Sequence, residues 1–530
     1  MNRGIEVEPA SSRGRPAVEV GAEPVDLAAI GAVARGEAAV RLSANAAFDR
    51  RLVASREALE AAVARGVPVY GVTTGYGESC GNRVDAERSR ELGANLIRYH
   101  GCGAGEPLGA IEARAGTFCR LLGLARGYSG VSRELLQAMA DLLNAGVAPV
   151  IPALGSVGAS GDLTPLSYLA ACLAGEREAW LDGRRLPAAE ALRAAGLAPY
   201  RFAPKEPLAL INGTSIMTGI AAVVCGRSRQ LLQAATAASA LAVHALSGHA
   251  HHFDARLFAA KPHPGQAAVA ASLRRWLAAA GDAPESRDPD WLQDPYSVRC
   301  SPHVLGVLAD GLEWVERWVV VEANSANDNP LLDPDSGAVL MGGNFYGGHI
   351  AFAMDALKSA LASAADMIDR QLALLVDERF SRGLPADLVR AAEADLHHGF
   401  KGMQITASAL TAEALKLGMP AAAFSRSTES HNQDKVSLGT IAARDADRVC
   451  ALAAGAVAVG LLAAVQAAEI RGRLADRPAL ARAVAAVRGI SPAVDADRPL
   501  DGDLQRITDA ILAGRLFAPD DGIAADGNEA

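Results

Sequence analysis

Gly155-Ser156-Val157-Gly158-Ala159-Ser160-Gly161-Asp162 sits inside a dense loop, residues 150–165, with helical patterning before and after it. Four readings of this octapeptide compete. A phosphate loop needs G-x-x-x-x-G-K-[ST] or G-x-G-x-x-G. Here the glycines fall at every third position and no lysine follows. A hydrolase elbow needs G-x-S-x-G, but the frame around Ser160 is Gly158-x-Ser160-x-Asp162. A plain turn satisfies the composition, since Gly, Ser and Asp dominate turns. The fourth reading is self-modification. The Gly161 nitrogen attacks the Ala159 carbonyl, helped by the absence of a Cβ at Gly161. Loss of water from Ser160 then leaves an exocyclic methylene, an electrophile that no ordinary side chain supplies. The tripeptide is common, so spacing alone leaves the turn and the cyclised loop both open.

Around this loop the chain is 530 residues long, 50% hydrophobic and 21% charged. That mixture fits a large globule and excludes a disordered or fibrous protein. Aromatics are 5% while Ala abounds, which implies closely packed helices with small contact residues. A net charge of −9 without long runs of one sign gives no electrostatic footprint for nucleic acid. Seven cysteines (Cys80, Cys102, Cys119, Cys172, Cys225, Cys300, Cys450) are scattered without a C-x-x-C pair, as expected for reduced thiols in a cytoplasmic protein. Residues 1–20 carry no apolar signal core. The most apolar stretch, 450–465, is short for a membrane span and reads as a buried bundle helix.

Residues 1–24 and 517–530 read as flexible tails. Between them the pattern is mainly α. An N-terminal domain, 25–210, holds small β elements and the special loops; a long central helical bundle, 211–516, follows. Apolar residues recur at helical spacing over 27–64, 85–98 and 110–145, with a β-like run at Val67–Val72 and a small hairpin around Asp182-Gly183. Long helices are predicted near 214–247, 303–325, 347–378, 403–417 and 435–470.

Several motifs elsewhere join the octapeptide. Tyr70-Gly71-Val72-Thr73-Thr74-Gly75-Tyr76-Gly77, Leu210-Ile211-Asn212-Gly213-Thr214, Gln293-Asp294-Pro295-Tyr296-Ser297-Val298-Arg299-Cys300, Asn327-Asp328-Asn329-Pro330, Gly342-Gly343-Asn344-Phe345 and Asn432-Gln433-Asp434 follow in order. With Ala159-Ser160-Gly161-Asp162-Leu163, this set resembles the aromatic amino acid ammonia-lyases and aminomutases over roughly residues 25–500. The resemblance implies an N-terminal lyase domain bearing a 4-methylidene-imidazol-5-one (MIO) group. That group forms autocatalytically from Ala159, Ser160 and Gly161, with no external cofactor. It also implies a homotetramer with shared active sites and a small-molecule amino acid as substrate, with neither nucleic acid nor membrane as partner.

The roles implied follow residue by residue. The MIO captures the substrate nitrogen, turning ammonia into a better leaving group. Asn212 assists by hydrogen bonding; otherwise it closes an Asx turn. Tyr70 resembles the base that takes the β-proton. A free tyrosine hydroxyl ionises near pH ~10, so a downward shift is expected, from Arg299 or a helix N-terminus; its plainer role is a packed tyrosine. Arg299 would grip the substrate carboxylate bidentately, unless it makes a surface ion pair. Tyr296 and Gln293 would complete a polar wall, Phe345 would lie near the MIO, and Asn327 would contact the carboxylate side.

Tyr99-His100 resembles the pair that faces the substrate ring, yet it matches neither Phe-Leu, His-Leu nor Ser-His of the phenylalanine, tyrosine and histidine enzymes. At the position of the histidine enzymes' glutamate stands Gln433, which pairs less well with an imidazole. His100 could hydrogen-bond a phenol; its plain alternative is a core histidine. The combination points to elimination of ammonia from L-tyrosine to give trans-4-coumarate. The alternatives are phenylalanine or histidine ammonia-lyase, or a tyrosine or phenylalanine 2,3-aminomutase. The cluster His244, His249, His251 and His252 has spacings unsuited to one helical face and no carboxylate motif beside it, so no metal is expected.

Overall fold

The structure, a computed structural model, describes residues 14–279, 292–390 and 394–517. The mainly α expectation holds. Helices carry most of the described chain, and the strands are two to four residues long. Two compact units interleave in sequence. One comprises Met1–Val223, Glu316–Asp355 and Pro420–Arg444; the other comprises Val224–Val315, Ala356–Met419 and Asp445–Ala530. Four long helices, Ser215–Ala245, Ser301–Ala323, Gly348–Val376 and Gly439–Arg471, have residues in both.

In the first unit, part of the expected N-terminal tail is ordered. Ala17–Val20 pairs in parallel with Ala39–Leu42. The continuous helical pattern over 27–64 is therefore two helices. Leu27–Arg35 is capped by Asp26, which accepts the Ala29 N–H at 2.8 Å, and ends at Gly36 with φ 77°. Ala46–Ala64 begins at Asn45, which accepts the Ala47 N–H. Likewise 110–145 splits into Ala110–Leu124 and Arg133–Asn144. Gly127 and Gly130, at φ 73° and 65°, turn the chain between them.

Val67–Val72 is not a strand. Val72 and Thr73 both donate to the Val69 carbonyl at 3.0 Å, and Gly71 adopts φ 68°, which extended backbone excludes. The run is apolar because Val69 and Val72 are buried against Ala58, Leu59, Ala62 and Leu332. The hairpin forms as predicted: Glu178–Leu181 pairs with Arg184–Pro187. Asp182 and Gly183 both have positive φ, the signature of a type I′ turn.

The five long helices fall where periodicity places them. Gly439–Arg471 is long and apolar enough to cross a membrane, but 94% of its most apolar window is buried within the protein. Its inward faces are mostly alanine. In the second unit a Cβ at Gly460 would lie 2.4 Å from Ile368 Cγ2, so small residues are what let these helices approach. Phe517 packs its ring on Trp276; the rest of the expected C-terminal tail lies outside the described residues.

Candidate active site

Ser160 lies between the strand Pro152–Leu154 and the helix Leu163–Leu173. Gly161 (φ 71°) shapes the turn, and a Cβ there would stand 2.1 Å from the Gly213 carbonyl oxygen. Only glycine fits. Gly161 and Gly213 form a parallel bridge: Asp162 N–H donates to Gly213 O at 2.7 Å and Gly213 N–H donates to Ser160 O at 3.3 Å. The Asn212 side-chain amide donates to that same Ser160 carbonyl at 3.2 Å. Asn212 Oδ1 is buried without a hydrogen-bond partner among the described residues. Gln433 Nε2 donates to Ser160 Oγ at 3.3 Å, while its Oε1 accepts from Thr428 at 3.0 Å. A crowded glycine, a carbonyl polarised by two donors and an unpartnered amide oxygen fit the internal electrophile.

Three buried side chains hold this arrangement, and the sequence reading missed their parts in it. Asp162 accepts from Met217 N–H at 2.9 Å, anchoring the start of the helix Ser215–Ala245, and from the Thr440 hydroxyl. Burial pushes its carboxyl up to about 6, against the pull of these hydrogen bonds. Arg120 is fully buried; its Nη1 donates to Asn212 O at 3.1 Å and to Asn327 Oδ1 at 2.8 Å. Burial lowers its pKa to about 10, with Asp328 and Asp162 opposing. Asn327 in turn donates to Thr214 Oγ1 at 2.9 Å. Both ends of the Asn327 amide are thus used in bracing the Asn212 loop. One signal was available for Arg120: a lone arginine inside the apolar run 115–125.

Tyr70 Oη accepts the Gly77 N–H at 2.8 Å, and its ring meets Tyr76 edge-on at 6.2 Å. The expected downward pKa shift is not what the surroundings produce. Burial pushes the hydroxyl up, the Gly77 hydrogen bond only partly offsets it, and the Glu429 charge adds to the rise. Glu429 accepts from the next amide, Glu78 N–H, at 2.9 Å. With Ser430 and His431 it forms three consecutive non-glycine residues at positive φ, 50°, 53° and 64°, a strained segment of the sort concentrated at functional sites. The segment 428–433 thus reaches the Tyr70 loop through Glu429 and Ser160 through Gln433. Glu429→Gln is expected to ease ionisation of Tyr70, moving the acid limb of the kcat/KM–pH profile to lower pH; an unmoved limb would separate Glu429 from Tyr70.

Tyr99 and His100 end the helix Ser89–Tyr99, their rings 4.3 Å apart, and Tyr99 is exposed. His100 Nδ1 lies 3.0 Å from the Leu96 carbonyl. A carbonyl only accepts, so Nδ1 carries the proton. Burial lowers the imidazole pKa, with the Leu96 contact opposing and Arg177 adding. Phe345 is half-buried two residues before Gly347, which packs against Met217 and Ser437; Ser437 Oγ donates to Gly158 O at 3.3 Å.

Gln293, Tyr296 and Arg299 belong to the second unit. Arg299 lies over the Tyr296 ring, its Cζ 4.7 Å from the centroid. Tyr296 and Gln293 are exposed, and Arg299 Nε is buried without a hydrogen-bond partner among the described residues. In this unit a carboxylate does meet the histidines: one atom each of His249, His252 and Asp294 lies within 4.8 Å of the others. His252 Nε2, however, accepts the Asp294 N–H at 3.2 Å and Asp294 Oδ1 accepts from Arg382 at 2.7 Å. Those lone pairs are committed, so the donor set suits a hydrogen-bonded network better than a metal.

Residues 25–489 match the family described as aromatic amino acid lyase. A histidine ammonia-lyase of Aromatoleum aromaticum is 42% identical over 464 residues, covering 87% of this chain and 88% of the relative. A tyrosine ammonia-lyase of Cereibacter sphaeroides is 40% identical over 523 residues, covering 95% and 99%. The crystal structure of tyrosine aminomutase from Streptomyces globisporus superposes with a TM-score of 0.88 at 37% identity, covering 94% and 97%. The chain therefore belongs to the aromatic amino acid lyase family and is a carbon–nitrogen lyase.

Proposed function

We propose that the protein eliminates ammonia from L-tyrosine to give trans-4-coumarate. The observation that carries the choice of tyrosine is the His100 tautomer. With Nδ1–H turned to the Leu96 carbonyl, a neutral His100 offers Nε2 as an acceptor, which a phenol O–H satisfies and a phenyl ring cannot. A site built around such a bond discriminates strongly against the analogue that lacks it. His100→Leu is expected to move the tyrosine-to-phenylalanine kcat/KM ratio towards phenylalanine by about tenfold or more. An unchanged ratio removes His100 from the ring pocket. The 42% identity to a histidine ammonia-lyase favours a second reading, histidine as substrate; Gln433, with its amide engaged by Thr428 and Ser160, weighs against it.

Ala159, Ser160 and Gly161 hold the MIO in this reading, and once formed it supplies the electrophile for the substrate amine. The chain's own residues do the rest. Asn212 and the Gly213 N–H hold the Ser160 carbonyl. Tyr70, as phenolate, takes the β-proton at Oη, with the Gly77 N–H positioned to stabilise its charge. Arg299 holds the carboxylate beside Tyr296, with Gln293 on the same polar wall; Tyr99, His100, Phe345 and Gln433 surround the ring. We also propose a homotetramer with shared sites, supported by exposed large apolar side chains such as Val307, Val321, Phe352 and Ile405; a monomeric sedimentation coefficient would contradict it. The absence of a disulfide among the described cysteines supports a reducing, cytoplasmic setting, which fractionation of the host cell would check.

A further inference from the structure

The segment that presents Arg299 cannot hold itself. Its helix, Tyr296–Arg299, is a single turn of four residues that leads through Cys300 into Ser301–Ala323, and a single turn fixes many dihedrals for very few hydrogen bonds. What fixes its N-terminal end lies one residue upstream of its cap, Pro295. Asp294 is 3% exposed and gathers two other parts of the second unit, the turn His249–His252 and Arg382. Its Oδ2 accepts the His249 N–H at 2.7 Å, its Oδ1 accepts from Arg382 Nη2 at 2.7 Å, and its own N–H donates to His252 Nε2 at 3.2 Å. Arg382 donates its other nitrogen to Ser247 O at 2.5 Å. Arg471 donates to the Ala245, Ser381 and Arg382 carbonyls, so both strands of the clamp are tied behind it. Gln371 holds the far side of the turn through Ser297 O at 2.8 Å.

We infer that Asp294, clamped by His249, His252 and Arg382, is a positioning residue that sets Arg299 and Tyr296 for the substrate carboxylate. The inference rests on the proposed role of Arg299. A carboxylate suits the task because it can accept from two directions at once. It takes a backbone N–H and a guanidinium on separate oxygens, while its backbone N–H remains free for His252.

The test is a double-mutant cycle on the full-length enzyme with L-tyrosine: Asp294→Asn, Arg299→Met and the pair. Acting through Arg299, Asp294→Asn should raise KM about tenfold in the parent and less than about twofold when Arg299 is already Met. Should Asp294→Asn fail to fold, Asp294→Asn with Arg382→Gln, which strands no charge, reads the same cycle. Equal fold-losses in both backgrounds would reduce Asp294 to general stability and overturn the inference. So would a stoichiometric metal in the purified protein that Asp294→Asn releases, since the cluster would then be a metal centre. A parent enzyme without activity on any aromatic amino acid would instead contradict the proposed function and is distinguished by that result alone.

Discussion

Ser160→Ala should lower turnover of L-tyrosine by at least about 10³-fold, the scale on which removing a reactive group from a concerted site acts, while leaving the helical fold intact. The expectation follows from the loop itself. Gly161 fits only as glycine because of the Gly213 carbonyl at 2.1 Å from any added Cβ, and the Ser160 carbonyl holds two donors. Such crowding presses the Gly161 backbone against the Asn212 loop, as a cyclising loop requires. Ser160→Ala keeps the backbone and removes the hydroxyl whose loss creates the exocyclic methylene. Intact mass provides a second, independent readout. The parent should be lighter than its sequence by two waters, one from cyclisation and one from Ser160, and Ser160→Ala cannot lose the second. Full activity in the variant, or a parent at its unmodified mass, would contradict the reading.

Tyr70→Phe is expected to cost about 10² to 10⁴ in kcat, the usual range for a positioned general base, without altering the mass signature. The sign of the pH dependence follows from the surroundings. Burial and Glu429 favour the neutral hydroxyl, and the Gly77 N–H opposes them only in part. A base that must be ionised therefore gains activity as pH rises, so kcat/KM should climb on the alkaline side of neutrality in the parent and lose that limb in Tyr70→Phe. A variant with most of its activity, or an unchanged profile, would assign the proton transfer to another group.

The long helices were legible because their apolar periodicity is sustained over many turns, and Asp182-Gly183 because its turn chemistry is specific. Short elements were not. Gly36 splits one helical pattern, Gly71 converts an apolar run into a buried turn, and the strand Ala17–Val20 exists through its partner Ala39–Leu42. At the candidate site, Ser160, Asn212 and Gln433 stood in recognisable motifs, and the structure joins them directly. The supporting side chains depend on contacts between distant positions. Arg120 reaches Asn327 across 207 residues and Asp162 meets Thr440 across 278, distances over which periodicity carries no information. The bracing partners of Asn327 were hidden for the same reason: its motif marks a place near the site and not the contacts it makes there. The pKa direction of Tyr70 depended on burial in the folded chain, with Glu429 adding to it, and the approach of Glu429 to Glu78 N–H comes from a strained segment that no propensity anticipates.

Product formation by the purified protein, with L-tyrosine, L-phenylalanine and L-histidine supplied separately, tests the central claim most directly. The conjugated acid is followed by ultraviolet absorbance and identified by mass. Coumarate from tyrosine at the highest kcat/KM is the predicted result. Urocanate from histidine at the highest kcat/KM, or no conjugated acid from any of the three, would contradict it.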